Sequence, residues 1–163
     1  MNAIKDSDLS AFKVMYYRYY ERLHRFVWIR TRSIECAEDL TQEVFTRLWE
    51  IRQRHTIRKS LKAYLYRMAS NLIVDYYRRK THDSKYVSKQ KARYRSASDD
   101  SEELRIDIEF AIDRLPENLR AAFILSRFEG LTYAEIARVC RISIKTVESR
   151  IGKALRFLRD GLA

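Results

Sequence analysis

The last third of the sequence contains a cluster of side chains whose chemistry suits nucleic-acid binding. Lysine and arginine attract phosphates, while arginine, glutamate, serine and threonine can also bond to base edges in the major groove. The cluster comprises Lys145, Thr146, Glu148, Ser149, Arg150 and Lys153. A solvated face on an ordinary helical hairpin is the alternative, but the compact spacing and the helix caps around the cluster favour DNA binding.

A helix-turn-helix is the element that would position this cluster. Thr132 and Glu135 have the spacing of a capping box, which predicts the start of a short helix. Arg141 and Ile142 form the predicted turn, and Ser143 can cap the second helix. The amino-terminal part of such a second helix enters the major groove. Its predicted inward stripe comprises Ile144, Val147, Ile151, Ala154, Leu155 and Leu158.

A second pair of informative segments lies in the first half of the chain. The segment AEDLTQEVFTRLWE carries acidic and amide side chains on one predicted helix face, which suits a basic protein partner. The downstream segment SLKAYLYRMASNLIVDYYRRK carries cations and Asn71 on its outer face, which suits a nucleic acid. Charged helix faces are usually only solvated, so periodicity alone leaves that simpler interpretation open.

Apolar residues at helical spacing predict the helices that carry and support these faces. The first runs from about Asp8 to Arg30, and Ser33 and Ser60 are predicted to cap the second and third. The first would bury Leu9, Phe12, Tyr16, Tyr19, Leu23, Phe26 and Val27. The third would bury Leu61, Tyr64, Leu65, Met68, Leu72 and Tyr76. The tyrosines of the first helix could also stack on bases, although core packing is the favoured interpretation.

The positions of glycine, proline and polar segments predict how the chain divides into domains. With only three glycines and one proline, a sheet with frequent turns is disfavoured. Residues 81–103 lose periodicity and fill with serine, lysine, arginine and aspartate, as linkers do. Pro116 fits a helix start and Gly130 a helix C-terminal cap. The predicted fold class is all-α: two small helical domains, 1–80 and 104–163, joined by a flexible linker, the second domain being a helix-turn-helix.

The net charge of +11 is unevenly distributed. Residues 47–95 carry fifteen basic and three acidic residues, whereas residues 97–117 carry two basic and eight acidic ones. Residues 118–163 return to nine basic and four acidic residues. Two basic blocks separated by an acidic spacer predict two surfaces that face one polyanion, the alternative being a merely soluble basic protein.

Several classes of function are disfavoured by what the sequence lacks. Cys36 and Cys140 lie in no CxxC pattern, and His24, His55 and His82 are isolated, so neither a disulfide framework nor a metal site is expected. Without a glycine-rich nucleotide loop or a plausible catalytic triad, we expect no enzyme, no cofactor and no small-molecule substrate. No apolar run approaches membrane-spanning length, which predicts a soluble, cytoplasmic protein.

Both pairs of segments, in this order and at this separation, resemble the extracytoplasmic-function (ECF) sigma factors. These are the small sigma-70-type factors with two helical domains. The resemblance extends from about Phe12 to Leu158, and AEDLTQEVF followed by YLYRMASNLIVDYYRR is its specific part. The segment KTVESRI is also similar to the DNA-binding domains of response regulators.

The resemblance implies a transcription initiation factor that brings core RNA polymerase to promoters and assists DNA opening. Asp39, Gln42 and Glu43 match the contacts to the clamp helices of the β′ subunit. The loop Arg52–Lys59 matches the loop that captures a flipped base of the −10 element. The implied −10 residues are Arg54, Arg67, Asn71, Arg78, Arg79 and Lys80. The C-terminal cluster matches the reader of the −35 element, in a domain that also touches the β flap.

The resemblance further implies an anti-sigma factor as a partner, which in this family is often held in the membrane. Two positions depart from the family pattern. Arg141 stands where glycine is common, so either the turn is built differently or Arg141 also contacts a phosphate. The loop Arg52–Lys59 is unusually basic, and the promoter sequence cannot be inferred from it.

Two other functions compete with the sigma factor. A helix-turn-helix regulator could bind an operator as a dimer without polymerase, with residues 1–80 as a sensor or dimerisation module. A helical adaptor that does not bind DNA is the third hypothesis, and it predicts that charge reversal at Lys145 and Arg150 leaves function intact.

Overall fold

The computed structural model describes residues 9–52, 60–83 and 110–162. Every regular element within these residues is helical, and the chain divides into two compact units, Met1–Gln90 and Lys91–Ala163. The all-α, two-domain prediction is therefore confirmed. The helices with both ends described are α1 (Leu9–Thr31), α2 (Ile34–Ile51), α3 (Leu61–Asp83), α4 (Glu117–Arg127), α5 (Tyr133–Cys140) and α6 (Ile144–Leu162). Residues 110–114 are also helical. Helix α3 thus continues three residues beyond the predicted domain boundary, and most of the predicted linker lies outside the described residues.

In the first unit, each of the three helices contacts the other two. Both predicted caps are present: the Ser33 hydroxyl accepts from the Cys36 N–H at 3.2 Å, and the Ser60 hydroxyl accepts from the Ala63 N–H at 3.1 Å. These bonds satisfy helix-end donors that have no partner inside the helix. The two serine side chains therefore fix the residues at which α2 and α3 begin.

Aromatic rings join α1 to its neighbours. Phe12 meets Trp49 with ring centroids 4.8 Å apart, and Tyr16 meets Phe45 at 4.7 Å. The half-buried Tyr16 and Tyr20 also stack on each other at 4.9 Å. Core packing is thus the role of these two tyrosines, as favoured from the sequence, because edge and stacked contacts of this kind stabilise a core beyond the area they bury.

The predicted buried face of α3 is partly wrong. Leu65 and Leu72 are buried, but Leu61, Tyr64, Met68 and Tyr76 are only half-buried. The core side of the helix is instead Ala63, Leu65, Tyr66, Ala69, Leu72 and Ile73. Tyr66 meets Phe26 of α1 edge-on at 5.1 Å, and the alanines allow close approach, so the inward face follows the small residues as well as the large ones.

Polar bonds tie α3 to the end of α1. The guanidinium of Arg30 donates to the Ser70 hydroxyl at 3.2 Å, and the Tyr77 hydroxyl donates to the Arg30 carbonyl at 2.8 Å. Leu9, at the start of α1, is 55% exposed, so its predicted burial is wrong. Phe12, Tyr16 and Tyr19 of the same predicted face are only half-buried. Burial in α1 is concentrated towards its carboxyl end, where Phe26, Val27, Trp28 and Ile29 lie in the core.

In the second unit the predicted start of α4 at Pro116 is confirmed, whereas its C-cap is Phe128 and not the predicted Gly130. Pro116 caps α4, one position earlier than the first helical turn, and Gly130 follows the helix with φ 61°. The Leu131 N–H returns to the Leu125 carbonyl at 2.9 Å, which satisfies a carbonyl at the end of α4 that has no partner inside the helix. The Thr132–Glu135 capping box is complete, and the Ser143 hydroxyl accepts from the Thr146 N–H at 3.1 Å.

The inward stripe of α6 is narrower than predicted. Val147, Ile151, Ala154 and Leu158 are buried, whereas Ile144 and Leu155 are 48% and 42% exposed. Leu155 lies at the edge of the buried stripe. Ile144 is the first residue of the helix, and because helical side chains lean towards the amino end, its side chain projects past that end. Both residues were wrongly assigned to the core.

The two cysteines should differ in their reactivity. Burial raises the pKa of the Cys36 thiol, although its hydrogen bonds to Thr31 and Tyr76 act in the opposite direction. Because the thiolate is the nucleophile, a buried thiol with a raised pKa reacts slowly. We expect iodoacetamide at pH 7.5 to label the half-buried Cys140 before Cys36, as read by peptide mass spectrometry. In guanidinium chloride the two rates should converge; faster native labelling of Cys36 would contradict the packing of α2 on α3.

Candidate protein and nucleic-acid interfaces

A groove of about 330 Å³ lies between α2 and α3 in the first unit. One wall comes from α2 and the other from α3. The lining residues are Asp39, Leu40, Glu43, Arg47, Leu72, Tyr76 and Arg79. Two of the three residues predicted to bind a protein partner, Asp39 and Glu43, therefore face the same groove, and the third, Gln42, is exposed on the same helix.

The α2 wall of the groove is acidic but partly neutralised. The Glu43 carboxylate accepts from Arg47 Nε at 2.7 Å, one helical turn along, and both side chains are close to half exposed. An exposed pair of this kind contributes only about 0.2–1 kcal/mol. A cationic partner can therefore displace Arg47 at small cost. The exposed Asp39 adds a second carboxylate one turn before Glu43.

The floor of the groove is apolar. Leu40 and Leu72 contribute aliphatic surface between the charged walls. Tyr76 lies in the groove lining, and its hydroxyl lowers the pKa of the buried Cys36 thiol. An apolar floor between charged walls suits an amphipathic helix, which can bury its apolar side there and pair its charges with the walls.

The predicted DNA-binding residues of α3 divide into two groups. At about 100° per residue, Arg67, Asn71 and Arg78 fall within about 40° of one another around the helix. Arg67 and Arg78 are exposed and Asn71 is half-buried. Arg79 instead lines the groove, and Lys80 lies over the Tyr76 ring at 5.5 Å. Arg54, the remaining member of the predicted set, lies outside the described residues.

We call the line of Arg67, Asn71 and Arg78 the basic strip. Arg78 lies 4.0 Å from Asp75, but its side chain remains 71% exposed, so that pair leaves the cation accessible. Two guanidiniums on either side of an amide give phosphate donors and one group able to bond to a base edge. The strip therefore has the composition of a nucleic-acid surface, on a helix whose next face borders the groove.

The six predicted residues of the second unit all lie in the first half of α6. Lys145, Glu148, Ser149 and Lys153 are exposed, and Arg150 is half-buried. Thr146 differs from them, because its hydroxyl lies 2.8 Å from the Ser143 hydroxyl and its N–H bonds to the same oxygen. Its first role is therefore to complete the helix cap that fixes the start of α6.

Two features of the helix-turn-helix were missed or left open by the sequence. Arg141 adopts a left-handed conformation, with φ 56° and ψ 47°, and its N–H bonds to the Ala137 carbonyl. The exposed Ile144 projects from the end of α6 that would enter a groove, where an apolar side chain can contact a thymine methyl. Its position directly after the cap Ser143 is the signal that could have identified it.

Other kinds of site have no support in the described ranges. Within residues 9–52, 60–83 and 110–162, no cluster of histidine, cysteine, aspartate and glutamate is arranged to hold a metal ion. The helices described there include none with the length and apolar character needed to cross a membrane.

The family comparisons match both units. Residues 15–82 match the family model of sigma-70 region 2, and residues 105–158 match that of sigma-70 region 4. The first match contains the groove and the basic strip, and the second contains the helix-turn-helix. The class of protein that the fold and surfaces define is a two-domain sigma-70-type factor.

Curated relatives carry the same description. The ECF RNA polymerase sigma factor SigE of Mycolicibacterium smegmatis is 32% identical over 151 residues, covering 88% of this chain and 58% of the relative, so the chain spans little more than half of that protein. The ECF RNA polymerase sigma factor SigW of Bacillus subtilis is 26% identical over 174 residues, covering 98% and 92%. The ferric citrate uptake sigma factor FecI of Escherichia coli is 27% identical, covering 88% and 86%.

Solved structures agree with these relatives. The sigma factor RpoE, in complex with the anti-sigma factor NepR from Bartonella quintana, matches with a TM-score of 0.78 and 26% identity over 94% of this chain and 98% of that one. CnrH, solved with the cytosolic domain of CnrY, matches with a TM-score of 0.71 at 21% identity, which supports the fold. The chain belongs to the ECF group of the sigma-70 family.

Charge reversal in the groove tests the polymerase contact that the family resemblance implies for Asp39. We expect Asp39→Arg to weaken binding to core RNA polymerase at least tenfold, because it replaces attraction by like-charge repulsion on the acidic wall. Fluorescence anisotropy of the labelled chain titrated with core measures this. Glu21→Arg is the matched control, since it makes the same charge change at an exposed position of α1 outside the groove. Equal affinities of the two variants for core polymerase would contradict a contact between Asp39 and polymerase.

Proposed function

We propose that this sigma factor directs core RNA polymerase to promoters by using the first unit as a two-sided bridge. The acidic wall, with Asp39, Gln42 and Glu43, binds the β′ clamp helices. The basic strip holds the opened strand of the −10 element, with Asn71 near a flipped base. The observation that supports this proposal is the presence of both surfaces on adjacent helices of one three-helix unit.

The second unit is proposed to read the −35 element. Its exposed residues Lys145, Glu148, Ser149 and Lys153, with Arg150, lie on the part of α6 that enters the major groove in helix-turn-helix proteins. The same unit would contact the β flap. The proposed base-capture loop, with Arg54, lies outside the described residues, and its role rests on the family alone.

The energetics of promoter opening explain why polymerase is required. Stacking contributes about 1.4 kcal/mol per base-pair step, so opening roughly ten steps costs on the order of 14 kcal/mol. One base contact contributes about 1–3 kcal/mol. A surface with a single amide and two guanidiniums cannot offset that cost alone. Contacts between polymerase and the groove must therefore supply much of the difference.

Regulation by a protein partner is part of the proposal. RpoE and CnrH, the structural relatives described above, were each solved with a protein partner, and for RpoE that partner is an anti-sigma factor. We propose that an anti-sigma factor covers the polymerase-binding surfaces of this chain, from the cytoplasm or from the membrane. We also propose that the chain acts in the cytoplasm and has no catalytic activity of its own.

Run-off transcription tests the proposed function. Purified core polymerase with this chain should give transcripts with defined start sites from promoters that respond to its expression. Asn71→Ala should reduce the yield about tenfold, because it removes one base contact of about 1.4 kcal/mol. The exposed Asn118→Ala, in α4, makes the same change outside the proposed surfaces and should leave the yield unchanged. The absence of any defined transcript with the unaltered chain would overturn the proposal.

The isolated chain should bind DNA weakly. Without polymerase, affinity depends on phosphate contacts, so it should fall steeply between about 50 and 200 mM salt. A gel-shift titration over that range measures the slope. Tight binding to a palindrome by the chain alone, with a stoichiometry of two chains per site, would instead favour the dimeric regulator.

A further inference from the structure

Arg141 lies between α5 and α6 in a backbone conformation that is unfavourable for its side chain. Its φ of 56° and ψ of 47° place it in the left-handed region, where a Cβ crowds the following carbonyl. Glycine has no such cost and is the usual residue there. The same unit uses Gly130, with φ 61°, at its other left-handed turn, after α4. An arginine at 141 therefore carries a conformational cost that a glycine would remove.

The surroundings of Arg141 show what a cation could do at this position. Its side chain is exposed, and the exposed cations Arg138 of α5 and Lys145 of α6 lie on either side of it in the chain. The cap residue Ser143 lies two residues after Arg141, so α6, whose amino end carries a partial positive charge, begins at Ile144, three residues after Arg141. In a helix-turn-helix the first helix crosses the DNA backbone while the second enters the groove, so the turn between them passes the phosphates.

We propose that Arg141 binds a backbone phosphate at the edge of the −35 element and fixes the register of α6 in the groove. This inference rests on the proposed function of the second unit. Phosphate contacts position a protein on the duplex without reading its sequence. The backbone from which the Arg141 side chain extends is held in place, because the Arg141 N–H bonds to the Ala137 carbonyl and the Ile142 N–H bonds to the same oxygen at 3.0 Å. Arg141 thus supplies a guanidinium at the turn, whereas a glycine at this position would supply no side chain.

The test compares variants that separate charge from backbone conformation. Arg141→Gly removes both the cation and the steric cost, Arg141→Asn removes the cation but tolerates the left-handed region, and Arg141→Lys keeps a cation. Polymerase holoenzyme assembled with each full-length variant is titrated against a promoter fragment at several salt concentrations. Denaturant unfolding of each free chain is measured in parallel.

We expect Arg141→Gly and Arg141→Asn to lose about fivefold in promoter affinity near 0.15 M salt, with a salt slope shallower by about 0.9, the loss of one phosphate contact. Arg141→Lys should stay within about twofold, because lysine also binds phosphate as a point charge. Arg141→Gly should unfold at an equal or higher denaturant concentration. Arg32→Gly is the control, since it removes a cation from the left-handed turn of the first unit (φ 57°) and should leave the slope unchanged.

Each other outcome overturns the inference. An unchanged affinity and slope for Arg141→Gly, with a normal holoenzyme from the unaltered chain, would refute the phosphate contact alone. Loss of stability in Arg141→Gly would show that protein contacts, not DNA, hold this side chain. No promoter binding by the unaltered holoenzyme would refute the proposed function, and the inference with it.

Discussion

The packing of α2 against α3 is the constraint on which the rest of the first unit depends. Around its circumference, helix α3 has to present a core face, a groove face and the basic strip. Tyr66 and Leu72 face inward or towards the groove floor, Tyr76 and Arg79 line the groove, and the basic strip occupies the remaining arc. A rotation of α3 by one residue, about 100°, would move Arg79 or the strip into the core. The Ser60 cap and the bonds from Arg30 to Ser70 and from Tyr77 to the Arg30 carbonyl oppose such a rotation.

Much of this arrangement could be predicted from local rules, and the exceptions have physical causes. The helix caps at Ser33, Ser60 and Ser143 and the Thr132–Glu135 box were all predicted, because a cap depends on residues within one turn of it. The buried face of α3 was only partly predicted, because it depends on which neighbours approach it. Small residues such as Ala69 are buried when a partner helix fits closely, and size-weighted periodicity overlooks them.

The candidate site shows the same division. The acidic face of α2 could be predicted because Asp39, Gln42 and Glu43 are close in sequence on one helix. The place of Arg79 in the groove could not, because it depends on how two helices separated by a loop face each other. Ile144 was assigned to the core because periodicity treats every turn alike, whereas the first turn of a helix projects past its packed region. In the second unit, by contrast, a turn of only a few residues joins α6 to α5.

The central claim is that one three-helix unit binds polymerase on the α2 side and opened DNA on the basic strip at the same time. Site-specific photocrosslinking in the assembled promoter complex tests it most directly. A photoreactive side chain at position 43 should crosslink to a polymerase subunit and not to DNA, while one at position 71 should crosslink to a promoter strand. If both positions reach the same partner, or position 71 reaches only protein, the two-sided account of this unit is contradicted.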